Sequence, residues 1–126
     1  MEIGMIGLGK MGMNMAQRLL QGGHSVIGTA NSAATVKEAQ ALGIKGAYSS
    51  AELAGMLKPL RVVWLMVPAG EVTENVILSL IPLLDQGDIL IDGGNSNYKD
   101  TKRRAEMLAQ HGLRFLDVGT SGGIWG

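Results

Sequence analysis

Glu2-Ile3-Gly4-Met5-Ile6-Gly7-Leu8-Gly9-Lys10-Met11-Gly12 runs a short apolar segment straight into three glycines spaced G-x-G-x-x-G. Residues 2–6 read as a strand. Residues 11–21 then place Met11, Met15, Ala16, Leu19 and Leu20 at helical intervals, and Gly22-Gly23 stop that helix. Glycines spaced this way between a strand and a helix have a physical use. The first permits the tight turn, the second lets backbone approach a pyrophosphate, and the third lets helix and strand pack closely. The helix N-terminus supplies unpaired N–H groups and the positive end of its dipole. The motif in this setting predicts that Gly7, Leu8, Gly9, Lys10, Met11 and Gly12 form a dinucleotide-binding loop. For Lys10 two readings stand open: a charge beside the pyrophosphate, or a solvated side chain.

Working outward, short apolar runs alternate with longer amphipathic stretches. Residues 25–29 read as a second strand. Residues 33–42 are Ala-rich and helix-favouring, ended by Gly43. A short strand follows near 45–48. Ser49-x-x-Glu52 has the form of a capping box and opens a short helix. Residues 61–67 are a near-continuous apolar run, as expected of a strand buried on both faces, closed by Pro68. Residues 71–81 set Val72, Val76, Ile77, Leu80 and Ile81 on one helical stripe, and Pro82 ends or bends it. Residues 88–92 read as a buried strand closed by Gly93-Gly94, residues 98–110 as a helix and residues 113–118 as a last strand. This alternation predicts an α/β fold: a Rossmann-type doubly wound parallel sheet forming one domain over residues 1–126.

Composition narrows the function classes. Of 126 residues, 46% are hydrophobic and 17% charged, which is a globular composition. Lys and Arg number 11 and so do Asp and Glu, so there is no net positive field for nucleic acid or an anionic membrane, and neither is expected as a partner. Cysteine is absent, which removes thiol catalysis, and with only His24 and His111 no metal site is expected. The N-terminus lacks the basic start and apolar core of a secretory leader, and the apolar run at 62–67 is far too short to span a bilayer. The expected location is the cytoplasm.

In an open α/β sheet, ligands bind outside the carboxyl ends of the strands. Eight of the 19 glycines lie in three short stretches at such ends, 7–12, 93–94 and 119–123. After the second strand comes Thr29-Ala30-Asn31-Ser32, with neither the carboxylate usual for NAD nor the arginine usual for NADP. Asn31 and Ser32 either cap the next helix or offer donors to the cofactor. Val67-Pro68-Ala69-Gly70 is either a helix-start turn or, beside the first glycine loop, a cofactor contact. Asp92 pins the Gly93-Gly94 turn. His24 reads as a turn residue, His111 as a helix-end residue, and the eight Met mostly as core fillers. Lys102-Arg103-Arg104 reads as a solvated face or an interdomain ion-pair site in preference to a phosphate site.

One segment is far more specific: Ile91-Asp92-Gly93-Gly94-Asn95-Ser96-Asn97-Tyr98-Lys99-Asp100-Thr101-Lys102-Arg103-Arg104. It resembles the I-[IL]-D-G-G-N-S-x-[YF]-x-D-T-x-R-R pattern of 6-phosphogluconate dehydrogenases. Val118-Gly119-Thr120-Ser121-Gly122-Gly123 is similar to that family's S-G-G substrate segment, and Ile124-Trp125-Gly126 resembles the shorter bacterial branch. The resemblance implies an enzyme of the pentose phosphate and gluconate routes. It oxidises 6-phosphogluconate at C3 with NADP or NAD and releases carbon dioxide and ribulose 5-phosphate. It also implies a helical domain, outside this chain, that makes a homodimer and carries a lysine base and a glutamate acid beyond residue 126.

Residue by residue, the resemblance places Val67, Pro68 and Ala69 in the second cofactor loop, although the family commonly has Lys where Pro68 stands. It places Asn95 against both cofactor and substrate, and Ser121, Gly122 and Gly123 against the substrate. An amide can donate to one ligand and accept from another, and a hydroxyl with bare backbone N–H groups can hold a carboxylate. Asn31 stands where NADP-using members carry Arg, and Ala30 where NAD-using members carry Asp. With no acid between Glu2 and Glu38 to repel a 2′-phosphate, the expectation leans to NADP, with NAD as the alternative. Two other readings are a 3-hydroxyisobutyrate-type dehydrogenase and a stand-alone dinucleotide-binding module without chemistry of its own.

Overall fold

The alternation resolves into six parallel strands. The computed structural model describes residues 1–68, 70–94 and 98–118. In chain order the elements are β1 (Glu2–Ile6), α1 (Lys10–Gln21), β2 (Ser25–Thr29), α2 (Ala33–Ala41), β3 (Lys45–Gly46) and α3 (Ser50–Met56). There follow β4 (Val62–Leu65), α4 (Glu71–Leu80), β5 (Ile89–Asp92), α5 (Tyr98–Gln110) and β6 (Arg114–Asp117). The sheet order is β3-β2-β1-β4-β5-β6, all parallel. From β1 the chain winds outward to β3, then crosses to β4 on the other side of β1. The strand order therefore reverses between β1 and β4, and a crevice opens above their carboxyl ends.

Side chains alternate across each strand, so the sheet carries two cores. Met5, Leu8, Ala16, Val26, Ala39 and Ile44 pack on the α1–α2 face. Ile6, Ile27, Leu53, Val63, Leu65, Ile77, Leu80 and Leu108 pack on the α3–α4–α5 face. Met5 and Ile6, adjacent in sequence, belong to opposite cores. That is the doubly wound arrangement expected from the sequence.

Several boundaries and burials differ from expectation. The strand expected over 61–67 is Val62–Leu65, and it is not buried on both faces: Val63 and Leu65 are buried while Val62 and Trp64 are partly open. The α1–α2 layer sits over β1, β2 and β3, so the same face of β4 is only partly covered. Arg61 lies outside the strand because its backbone N–H turns to the Asp88 carboxylate, 2.7 Å away. Asp88 in turn lies outside β5 and is fully buried, accepting also from Asp85 N–H at 2.8 Å and the Arg61 guanidinium at 3.2 Å. β3 and β6 are shorter than expected, and α4 hands over at Ile81 to a 3₁₀ turn containing Pro82. On α4, Ile77 and Leu80 are buried together with Thr73, but Val72 is exposed. The methionines follow expectation: Met5 is fully buried, Met13, Met15, Met66 and Met107 pack partly buried against the two cores, and only Met1, Met11 and Met56 are exposed. The helix starts fare better: Ser32 accepts the Thr35 N–H at 3.5 Å and Ser49 the Glu52 N–H at 3.0 Å. None of the helices, among the described residues, is long and apolar enough to cross a membrane.

Candidate functional site

The first glycine loop follows β1 directly. Gly7 has φ +103°, which only glycine adopts readily, and its N–H donates to the Thr29 carbonyl at 3.0 Å. This ties the loop to the end of β2. A Cβ on Gly12 would land on the Gly7 carbonyl oxygen, so the third glycine is needed for helix and loop to touch. Gly9 is different. A Cβ there would meet nothing within 4 Å, so the protein's own packing does not require this glycine. Its bare backbone faces open space.

Helix α1 starts at Lys10 without a side-chain cap and without an acidic residue in its first turn. Its first backbone bond runs from Met13 N–H to the Gly9 carbonyl at 2.8 Å. The amides of Lys10, Met11 and Gly12 precede that bond and leave the positive helix end uncompensated.

Two clefts meet at this loop. The larger, about 600 Å³, runs from Gly7, Leu8 and Gly9 past Thr29, Ala30, Asn31, Ser32 and Thr35 to Tyr48, Ser49 and Ser50. Met66, Val67, Pro68, Val72 and Val76 close its other side. The smaller, about 280 Å³, lies between Gly9, Met11 and Gly12 on one side and Gly93 and Gly94 on the other. Gly9, Met66, Val67 and Pro68 line both. Together they form a trough along the carboxyl edge of the sheet, across the reversal of strand order. No Lys, Arg, Asp or Glu lines either cleft among the described residues.

The loops after β4 and β5 are bound to each other and to their helices. Thr73 Oγ1 donates to the Pro68 carbonyl at 2.8 Å. Gly93 N–H donates to the Leu65 carbonyl at 2.8 Å, and Gly94 N–H to Asp92 Oδ1 at 2.8 Å. Asp92 thus pins the Gly93-Gly94 turn as the sequence led us to expect. A Cβ on Gly94 would strike the Val67 carbonyl, so the two loops are in direct contact.

The structure brings Gly7, Leu8, Gly9, Met11, Gly12, Asn31, Ser32, Val67 and Pro68 to the trough. Leu8 is only 2% exposed and packs into the α1–α2 core, so what it offers a ligand is mainly backbone. Lys10 is exposed and lines neither cleft, the solvated reading. Ser32 is both a helix cap and a cleft residue, and its hydroxyl hydrogen remains available to donate. Ala69, Asn95, Ser121, Gly122 and Gly123 lie outside the described residues.

Sequence reasoning missed two groups. Tyr48, Ser49 and Ser50 close the far end of the larger cleft. They arrive there because β3 pairs with β2, which no local pattern reveals. The second miss is Arg104, which is a correction: it is not on a solvated face but 1% exposed. Its Nε donates to Glu74 Oε1 at 2.9 Å and its Nη2 to the Gly70 carbonyl at 3.1 Å, with Asp92 Oδ2 at 3.8 Å. Arg103 is half-exposed and donates to both Glu74 carboxylate oxygens, at 3.1 and 2.9 Å. Hydrogen bonds from Arg103 and then Arg104 hold the Glu74 carboxyl down to about 2. Lys102 is exposed, as expected.

Comparison with known proteins places this geometry. The chain is 45% identical over 127 residues to the decarboxylating 6-phosphogluconate dehydrogenase of Haemophilus influenzae, covering 97% of this chain and 26% of that protein. It superposes on Mycobacterium tuberculosis 3-hydroxyisobutyrate dehydrogenase with a TM-score of 0.87 and 27% identity, over 98% of this chain and 42% of that one. On Plasmodium falciparum 6-phosphogluconate dehydrogenase, whose structures include complexes with NADP+ and with 6-phosphogluconate, the TM-score is 0.84 at 26% identity, over 91% of this chain and 26% of that one. The chain thus spans between 26% and 42% of the length of these relatives. The family model describing the NAD binding domain of 6-phosphogluconate dehydrogenase matches residues 2–126, and the chain belongs to that family.

Proposed function

We propose that this chain is the dinucleotide-binding domain of a 6-phosphogluconate dehydrogenase that uses NADP or NAD. The observation that carries the reading is Gly9: a bare backbone with no packing reason to be glycine, at the uncompensated start of α1, where the two clefts meet. Such a site suits a pyrophosphate, because its amides and helix dipole attract anions and no Cβ keeps them away. On this reading the adenosine half lies in the larger cleft, against Asn31 and Ser32. The nicotinamide half lies in the smaller one, between Met11, Val67 and Pro68 and the Gly93-Gly94 turn, and the motif resemblance adds Ala69 as a cofactor contact. When bound, the nicotinamide supplies a hydride acceptor.

The chain's own residues bind and orient. Gly7 to Gly12 hold the phosphates. Asn95 bridges cofactor and substrate, and Ser121, Gly122 and Gly123 hold the substrate, roles that rest on the motif resemblance. The proton-transfer lysine and glutamate belong to a helical domain of the whole protein, which also makes a cytoplasmic homodimer. The product is ribulose 5-phosphate with release of carbon dioxide. With no charged side chain lining the cleft around Ala30, Asn31 and Ser32 among the described residues, the preference for NADP is only modest.

A second reading, a 3-hydroxyisobutyrate-type dehydrogenase, is favoured by the superposition on the mycobacterial enzyme. The Asp92 to Arg104 segment argues against it. Assay of the whole protein with 6-phosphogluconate and with 3-hydroxyisobutyrate, each with NADP and NAD, decides between them by the absorbance of reduced nicotinamide. Reduction with 6-phosphogluconate is the expected result. No reduction with either acid overturns both readings.

A further inference from the structure

Arg104 is a buried cation whose known partners come from three different pieces of the chain. The Gly70 carbonyl closes the loop after β4, Glu74 stands in the first turn of α4, and Asp92 ends β5 and holds the Gly94 amide. Burying a guanidinium costs free energy unless it is paired and hydrogen-bonded, and an apolar residue of similar size would pack α4 against α5 at least as well. Lower on the same helices Ile77, Leu80 and Leu108 are buried in one apolar core. The charge sits only at the end next to the trough. There it spans the two loops that supply Val67, Pro68, Gly93 and Gly94 to the smaller cleft, without lining that cleft itself.

We propose that Arg104 is a positioning residue, a clasp whose guanidinium sets the spacing of the Val67–Gly70 and Asp92–Gly94 loops and so shapes the smaller cleft for the nicotinamide half of the cofactor. The proposal rests on the cofactor reading given above. Its logic is geometric. The planar fork of Arg reaches a carboxylate and a carbonyl in fixed directions, and a lysine ammonium cannot reach both. Glu74 completes the clasp from the α4 side, while Arg103 secures Glu74 from outside. The larger cleft shares Met66, Val67 and Pro68 with the smaller one and has Val72 and Val76 on one wall, but most of its lining comes from the glycine loop and the segments after β2 and β3.

The test compares ADP, which contains only the adenosine and phosphate part, with intact NADP and NAD. Kd values are measured on the whole protein for the wild type, Arg104→Lys and Glu74→Gln. The clasp predicts that Arg104→Lys weakens the dinucleotide by about tenfold or more and leaves ADP within about twofold, because the nicotinamide half lies between both clasped loops, whereas the adenosine half shares only Val67 and Pro68 with them and takes the rest of its lining from elsewhere. Glu74→Gln, which keeps the guanidinium, should show the same split in smaller measure. Retained ADP binding also certifies that each variant is folded. If both variants lose ADP and dinucleotide in equal proportion, Arg104 is a general stabiliser and the proposal fails. It fails too if neither ligand is affected. Wild-type protein that binds neither ADP nor dinucleotide overturns the cofactor reading, and the clasp with it.

Discussion

Gly12 has no side chain because the carbonyl oxygen of Gly7 occupies the place where its Cβ would stand. Gly9, three residues earlier, faces nothing in the protein. One motif therefore contains a glycine required by packing and a glycine left bare. The two should respond differently to the same substitution. Gly12→Ala forces backbone apart and should cost roughly 1–3 kcal/mol of stability. Gly9→Ala should cost less than about 1 kcal/mol, since the residue is at a helix N-cap with ordinary φ and no side-chain bond to lose. It should nevertheless weaken dinucleotide binding by about tenfold or more by placing a methyl group where the phosphates approach. Urea unfolding and cofactor titration of the two variants check this. Equal stability losses, or unchanged binding by Gly9→Ala, would contradict it.

The Glu74 carboxyl gives a pH signature. Its pKa falls from 4.5 to about 2 on folding, chiefly through hydrogen bonds from Arg103 and then Arg104. A depressed carboxyl contributes stability that is complete above its unfolded pKa and is lost as pH falls through the folded one. The loss should accordingly run from around 4.5 down to about 2. Glu74→Gln removes this contribution, so the variant should be less stable than the wild type at neutral pH. The difference should narrow steadily on acidification. Thermal melts of both proteins across that range test it, and a difference that is constant with pH would refute the assignment.

Cofactor choice is open to a charge test at the end of β2. Ala30 and Asn31 line the larger cleft with no cationic or anionic side chain beside them among the described residues. Asn31→Arg should tighten NADP by pairing with the 2′-phosphate, and Ala30→Asp should shift the site toward NAD by repelling it. Kd values for both cofactors on the wild type should show a modest NADP preference. NAD binding tenfold tighter than NADP would reverse the assignment.

Asn95 and Ser121 lie outside the described residues, and their roles rest on motif resemblance alone. In the whole protein, Asn95→Ala and Ser121→Ala should lower turnover of 6-phosphogluconate by about ten- to hundred-fold, the loss of hydrogen bonds to charged ligand groups. Melting temperature should stay near the wild-type value. Wild-type kinetics in both variants would make these segments structural turns.

The sequence alone determined the architecture and pointed to the edge of the sheet where the candidate site lies. A strand running into G-x-G-x-x-G, then alternating elements with glycines at strand ends, left a parallel sheet with ligands at its carboxyl edge, because turns, periodicity and helix starts are local properties of the chain. The order β3-β2-β1-β4-β5-β6 realises that expectation. The tertiary structure alone decided which charges and apolar groups face where. Arg104 sits in a charged run that reads as a solvated face or an interdomain ion-pair site, yet it is buried within this fold because Glu74 and the Gly70 carbonyl, 30 and 34 residues away, meet it across α4 and α5. Tyr48 reaches the cleft only because β3 pairs with β2, and Trp64 stays partly open because no described helix fully covers that face of β4. Periodicity along one segment specifies a face, but what covers that face is set by segments distant in sequence, and their pairing exists only once the chain has folded.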